Sequence, residues 1–461
     1  MTCIKEAAAC ARHIKRMMWT YRPELLARPV PRYTSYPTAA EFTPSVGTPE
    51  LEAALDAIEL DSDVSLYVHI PYCQEICWYC ACNTGKANKA HRLHAYLEAL
   101  EQEIYRIAER VKDKARIRRI AFGGGSPNAI AAGDFVRLLQ TLIVAFNAVD
   151  PVISLELDPR GFDDRWATVM AVLDIERVSL GVQTFAPHVQ AAIGRIQPYE
   201  DISRTVDYLR AAGVRSVNFD LMYGLPHQSQ ADLDDAIDKS IALGADRIAL
   251  FGYAHVPSIV PRQRRIDAAD LPDQPTRFDM AAQGYDRFTA AGYYAVGFDH
   301  FAKPDDALAI AARNGTLRRN FQGFTEDQAD ILIGLGATAI SSFPGALIQN
   351  EKNAGVYRTR LSEGQLPAAL GILRSDADRA HGRVIETLLC QGQADLAPVG
   401  GGAAYRADLL SFIAAGLAEL EGDALRLTSA ALPYARTIAA LFDPYRSLAP
   451  TGARGRFSNA V

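Results

Sequence analysis

Four cysteines, Cys73, Cys77, Cys80 and Cys82, crowd into one short stretch of the chain, while Cys3, Cys10 and Cys390 stand far from it. Clustered thiols admit three chemistries: a disulfide, a zinc site or an iron–sulfur cluster. The disulfide is the weakest, because dense disulfides serve small secreted domains and this is a 461-residue chain without a recognisable signal peptide. Structural zinc usually takes two separated cysteine pairs, and here no second pair follows the loop. The spacing of Cys73, Cys77 and Cys80, Cys-x3-Cys-x2-Cys, suits thiolates that cap three irons of a four-iron cluster and leave the fourth iron open. Spacing favours the cluster, with zinc as its competitor.

Something must hold that loop. The run Ser65–Ile70 is apolar and strand-like and leads directly into it. Further apolar runs follow at Ile117–Phe122, Ile153–Leu157, Arg177–Val182, Ser216–Leu221 and Arg247–Phe251. Helical patterns separate them, among them His91–Arg110, Gly133–Phe146, Asp201–Ala212 and Ala231–Leu243. Such alternation predicts an α/β fold with a parallel sheet and helices outside it, here a partial (β/α)6 barrel. Active sites of such sheets gather at the carboxyl ends of the strands. Each strand end indeed carries glycine or polar groups: the cysteine loop, Gly123–Ser126, Glu156 with Asp158, Gln183 with Arg195 beyond it, Asp220, and Tyr253–His255. The glycine triplet would let its backbone offer N–H groups to a carboxylate or ribose. Glu156 and Asp158 share one face by the two-residue period of a strand.

Outside this core the signals are plainer. An N-terminal stretch that is basic and helical in look reads as a loosely ordered extension ahead of Met18. Arg28–Thr38, with prolines at 29, 31 and 37, cannot be helical and reads as an extended arm. Its Arg32, Tyr33 and Tyr36 suit an arm laid across a carboxylate-binding site. Pro49–Leu60 reads as a short helix, Val260–Arg265 as a solvated basic face, and Asp299–Asp306 and Leu317–Phe324 as loops. Leu335–Ser341 is rich in small residues and would admit a ligand closely. From Ser375 the chain is mainly helical, with a hairpin at Gly416–Leu427, which predicts a small winged-helix-like domain. The expected division is an extension and arm over 1–60, the barrel with its elaboration over 61–370, and the helical domain over 371–461. A formal net charge of -6 gives no nucleic-acid-binding character. No run approaches the roughly 20 apolar residues of a membrane helix, and oxygen-labile thiols fit a reducing cytoplasm.

Taken together these motifs resemble one family. Tyr79, the aromatic directly before the third cysteine, completes the signature of the radical S-adenosylmethionine (radical SAM) enzymes. Pro31–Thr38, Tyr67–Pro71, Gly123–Pro127, Asp220–Pro226, Tyr253–His255, Asp299–Ala302 and Asn320–Gly323 are similar to those of the oxygen-independent coproporphyrinogen III oxidases. That resemblance implies a 4Fe-4S cluster on Cys73, Cys77 and Cys80. It implies one S-adenosylmethionine held by Tyr67, Gly124, Glu156 and Ile340, and a second held by Tyr79, Gly125, Ser126, Gln183, Arg195, Asp220 and Ala254. Cys82 matches a further cysteine that is not a cluster ligand. With Tyr67 and Arg32 it completes the expected catalytic set. The implied reaction removes hydrogen from the β-carbon of a propionate by a deoxyadenosyl radical. Carbon dioxide and an electron then leave, and two propionates of coproporphyrinogen III become the vinyl groups of protoporphyrinogen IX. Arg32, Arg262, Arg264, Arg265 and Arg319 are candidate propionate clamps. The resemblance further implies a monomer served by an electron donor such as a flavodoxin or ferredoxin. The chain departs from the family pattern at Ala81 and Gly194. Those departures leave room for a paralogue acting on haem itself, by ring opening or methyl transfer. A haem-trafficking chaperone is disfavoured by the arm and by Cys82.

Overall fold

The computed structural model describes residues 19–448. The basic N-terminal extension, Cys3 and Cys10 therefore lie outside the described residues.

Six parallel strands form where apolar and polar residues alternate: β1 (Ser62–Ile70), β2 (Ala115–Gly124), β3 (Val152–Leu157), β4 (Arg177–Gln183), β5 (Ser216–Tyr223) and β6 (Arg247–Gly252). Sheets of this kind usually read as continuous apolar runs, because helices cover their faces. Here one face is apolar and the other is not. Ile153, Leu155 and Leu157 of β3, Val178, Leu180 and Val182 of β4, and Phe219 and Leu221 of β5 are buried. The alternate residues Glu156, Ser179, Gly181, Gln183 and Asp220 border a cavity instead. The period-two pattern thus sorts core residues from site residues along each strand.

The sheet continues past the six expected strands. It gains β7 (Tyr294–Val296), β8 (His300–Ala302), β9 (Ile331–Leu335), β10 (Ile340–Phe343), β11 (Ala346–Asn350) and β12 (Ala368–Leu373). Strand order is β12-β11-β10-β9-β1-β2-β3-β4-β5-β6-β8-β7. β9 pairs parallel with the free side of β1, and the remaining additions are antiparallel. Stretches 299–306 and 317–324, expected as loops, therefore hold β8 and a small hairpin, Arg318–Asn320 with Gly323–Thr325. Three-residue strands are too short to show a hydrophobic period. The helix expected over Pro49–Leu60 runs from Thr48 to Asp56.

The helix Ala90–Val111 packs behind β1 and carries a buried carboxyl, Glu103, on its inner face. Glu103 accepts hydrogen bonds from the Gly336 N–H (2.7 Å), Asn350 Nδ2 (2.7 Å) and the Tyr357 hydroxyl, which ties the helix to the loops around β9–β11. Burial raises its pKa to about 7, against these three bonds.

The helix Asp376–Gln391 opens with a capping box between Ser375 and Asp378 and closes at Gly392, whose φ of 67° suits glycine. Beyond it a three-stranded sheet joins β13 (Gln393–Asp395) to the expected hairpin, β14 (Ala418–Glu421) and β15 (Ala424–Leu427). Among the described residues no helix is long and apolar enough to cross a membrane.

Candidate active site

A cavity of about 490 Å³ opens at the carboxyl ends of the strands. It brings together Arg32, Cys73, Cys77, Tyr79, Cys80, Cys82, Gly124, Gly125, Ser126, Glu156, Gln183, Arg195, Asp220 and Ala254. Two expected residues are not on its wall. Tyr67 is buried on β1, its hydroxyl 3.2 Å from His69 Nδ1 and its ring edge-on to Phe321 at 4.4 Å. Ile340 opens β10 and borders a separate cleft.

The glycine triplet lies against the cysteine loop. Its N–H groups are spent within the chain: Gly124 donates to Glu156 Oε2 (3.2 Å), Gly125 to the Ile70 carbonyl (2.8 Å) and Ser126 to the Tyr72 carbonyl (2.8 Å). What the glycines supply is room. A Cβ on Gly125 would stand 2.4 Å from the Tyr72 carbonyl oxygen. One on Gly124, where φ is 105°, would meet the His69 ring at 2.4 Å. The cysteine loop can lie against β2 only because these side chains are absent.

Charge at the loop is set by two guanidinium groups that flank Asp158. Arg195 donates to both Asp158 oxygens at 3.2 Å, and Arg160 reaches the same carboxylate at 2.6 Å. Both also point at the Cys77 sulfur, each at 3.4 Å. Burial alone would raise the Asp158 pKa, but Arg195 and Arg160 more than offset it and hold the carboxyl below its ordinary value. Glu156 goes the other way. Burial and then the neighbouring Asp220 push it up to about 7. Asp220, itself raised by burial, is held by Ser179 (2.9 Å) and Asn218 (2.7 Å).

The three spaced thiols suit a cluster. Burial, then Cys80 and Cys77, raise Cys73 to about 12, whereas hydrogen bonding from Cys82 lowers Cys80 to about 6. Cys82 is exposed to the cavity, and its backbone N–H donates to Cys80 Sγ at 3.4 Å. Backbone bonds of this kind tune the sulfurs of such clusters. A single-ion zinc site gains nothing here, for among the described residues no three His, Cys, Asp or Glu side chains converge on one ion.

The stretch Val260–Arg265 is solvated only in part: Pro261, Arg264 and Arg265 are exposed. Gln263 within it is fully buried. Its amide donates to the carbonyls of Tyr79 (2.8 Å) and Ala254 (3.0 Å), and its Oε1 accepts from Val256 N–H (2.6 Å). It therefore ties the cysteine loop to the end of β6. Of the five candidate clamps, Arg32 and Arg262 border the cavity. Arg32 donates to the Gly252 carbonyl (3.0 Å), and Arg262 to Thr84 Oγ1 (3.0 Å). Arg264 does not line the cavity, and Arg265 lies over the Trp78 ring. Arg319 donates to the carbonyls of Tyr33 (3.2 Å) and Arg32 (3.1 Å), and its Nη1 is buried without a partner. Sequence reasoning gave no role to Arg160 or Gln263, and the Asn320–Gly323 motif it named contains Gln322, whose amide reaches Glu156 at 3.4 Å. The one available signal was the position of Arg160 just past the Asp158-Pro159 strand end. At Gly194 the Trp78 indole occupies the space a side chain would need, 2.7 Å from a built Cβ.

With this geometry in hand, comparisons with known proteins place the chain. Residues 67–239 match the Radical SAM superfamily. An oxygen-independent coproporphyrinogen III oxidase of Bradyrhizobium diazoefficiens is 40% identical over 425 residues, 90% of this chain and 94% of that one. The chain belongs to this family. Its relative of the same description in Pseudomonas aeruginosa is 37% identical over 446 residues, covering 94% of this chain and 96% of the other. The solved structure of the family member from Escherichia coli, HemN, described as a Radical SAM enzyme, superposes with a TM-score of 0.86 at 33% identity. That match covers 92% of this chain and 99% of the other. The family's cofactors are a 4Fe-4S cluster and S-adenosylmethionine, and the thiol set, its two guanidinium neighbours and the open cavity beside it fit them.

Proposed function

We propose that this protein decarboxylates two propionate side chains of coproporphyrinogen III to vinyl groups, giving protoporphyrinogen IX. The observation that carries the reading is one cavity that gathers Cys73, Cys77 and Cys80 with Glu156, Arg195 and the arm residue Arg32. When bound, the cluster and S-adenosylmethionine supply an organic radical able to take hydrogen from an unactivated carbon.

The chain's own residues bind, orient and exclude. Cys73, Cys77 and Cys80 hold the cluster, and Arg160 and Arg195 place positive charge beside Cys77. Tyr67, Gly124, Glu156 and Ile340 are assigned to the first S-adenosylmethionine. Burial and Asp220 raise the Glu156 pKa, and its carboxyl at the cavity wall is suited to a ribose hydroxyl. Tyr79, Gly125, Ser126, Gln183, Arg195, Asp220 and Ala254 are assigned to a second one, with Gln263 fixing the positions of Tyr79 and Ala254. Arg32 and Arg262 supply cations for the propionate to be cleaved. Leu157, Met222, Phe251 and Tyr253 line the same wall and keep water from the reacting carbon. Cys82, at the cavity face, is placed to act on substrate rather than to ligate. A monomer in the cytoplasm, reduced by a flavodoxin or ferredoxin, completes the reading. No observation favours the readings in which haem is the substrate or cargo.

The test is anaerobic incubation of the reconstituted protein with coproporphyrinogen III, S-adenosylmethionine and a reductant. Protoporphyrinogen and carbon dioxide should appear together. Methionine released with the porphyrinogen unchanged would sink the reading.

A further inference from the structure

A second cleft, of about 530 Å³, lies between β9–β11 and the helix Asp376–Gln391, under Tyr33–Tyr36 of the arm. That size is typical of a small-molecule site. We propose that this cleft binds carboxylates, with Arg374, Arg379 and Arg383 as its cationic rim, and that it seats the propionates the reaction leaves intact. The proposal rests on the porphyrinogen reading above and extends it to residues outside the cluster cavity.

Charge accounting separates this cleft from an ordinary wet groove. Its lining carries Arg318, Arg319, Arg374, Arg379 and Arg383 against Asp327, Asp330 and Glu386. The acids are already committed. Glu386 and Asp330 both pair with Arg318, at 3.0 and 3.2 Å. Asp327 accepts from Ser65 at 2.5 Å and faces Arg119. Arg319 is held by the arm carbonyls through Nε and Nη2, with Nη1 buried and unpartnered. Among the described residues no carboxylate of the cleft forms an ion pair with the other three arginines. Arg374 donates to the Phe343 carbonyl, but its Nε is buried without a partner. Arg379 pairs with Asp376, a residue that does not line the cleft and is 93% exposed. Arg383 has no hydrogen bond or ion pair among the described residues. A buried donor left unmade is costly, and an incoming carboxylate would satisfy it. Burial and then Arg379 lower the Arg374 pKa, and the more distant charges of Glu386, Asp378 and Asp330 do not offset them.

The rest of the cleft suits the body of such a ligand. Leu332, Ile340, Leu347 and Phe321 give apolar surface opposite the arginines. Phe321 packs its ring on Tyr67, and the hairpin that carries it sends Gln322 to Glu156. The cleft and the cluster cavity are thus joined through that hairpin. A macrocycle with carboxylates on several edges could present one to each side.

The experiment titrates the reconstituted holoenzyme anaerobically with coproporphyrin III, the oxidised ring that is not turned over, and follows porphyrin fluorescence. R379Q and R383Q alter exposed positions of a helix and leave its core face intact. Each should weaken binding about tenfold, and the double variant more. The tetramethyl ester, which lacks the charges, should bind wild type weakly and the variants equally so. Unchanged affinity of the variants for the free acid overturns the proposal. So does an equal loss for acid and ester, which would report packing rather than charge. Failure of the wild type to bind coproporphyrin at all would instead overturn the porphyrinogen reading itself.

Discussion

The hydroxyl of Tyr33 donates to Asp443 Oδ2 at 3.0 Å, across 410 residues of chain. Tyr36 reaches the other oxygen of the same carboxylate at 3.4 Å. The arm is thereby pinned at its middle, and Arg32 just before it is brought to the cavity, where it contacts the Gly252 carbonyl. Y33F should cost about 1–3 kcal/mol, because a buried carboxylate oxygen loses its donor. The loss should show as faster proteolytic cleavage within residues 28–38 and a raised KM for substrate. An unchanged cleavage rate would mean that the arm is held by its other contacts alone.

Crowding at the glycine triplet sets up a comparison within one protein. G125A drives a methyl into the Tyr72 backbone and should lose at least about 2 kcal/mol of stability along with S-adenosylmethionine binding. G133A, at the start of the helix Ala132–Ala145 where a built Cβ meets nothing within 4 Å, should be neutral or stabilising by up to about 1 kcal/mol. Thermal unfolding and equilibrium dialysis of S-adenosylmethionine read the two effects separately.

Glu103 couples folding to pH. Its folded pKa of about 7 lies above the ordinary value of 4.5, so the native state holds the proton more tightly than the unfolded chain. Its contribution is fully present below pH 4.5 and is lost as the pH rises through 7. At about 1.4 kcal/mol per unit the loss is roughly 3 kcal/mol. E103Q should flatten the difference in unfolding free energy between pH 5 and pH 8 by about that amount, as read by denaturant titration. Carboxyls shifted the other way, such as Asp158, are present in both proteins and cancel.

Gln263 makes three hydrogen bonds from a fully buried position. Q263A leaves the Tyr79 and Ala254 carbonyls and the Val256 N–H without partners, at about 1–3 kcal/mol for each group that water cannot reach. The expected signature is weaker S-adenosylmethionine binding with iron content close to wild type. Loss of iron alone, with S-adenosylmethionine affinity intact, would contradict the tether.

What the sequence disclosed depended on pattern length. Six strands with a clear two-residue period were readable within a few residues, and with them the residues of the cavity wall. β7 and β8 are three residues each and β10 four, below the length at which a period can be recognised. β9 is Ile-Leu-Ile-Gly-Leu, a continuous apolar run legible as a strand, yet its place beside β1 depends on pairing across more than 260 residues. Arg262 and Gln263 sit in a run whose charge suggested solvent, and only the packing of the cysteine loop against it exposes their contacts. The close packing of the glycine triplet against Tyr72 and His69 was not legible either, since which group meets a glycine is decided by tertiary neighbours.

The pin between Tyr33 and Asp443 has a temporal side. A ribosome delivers the chain from its N-terminus, so the cysteine loop and β1–β6 emerge long before Asp443 does. The β9 segment that flanks β1 also arrives late. A nascent chain can therefore present the cysteine loop while the arm is still unfastened. Only the finished polypeptide, with its last helices in place, closes the arm over the cavity. Completion of synthesis therefore sets the order: a chain cut short before residue 443 would lack the carboxylate that fastens the arm.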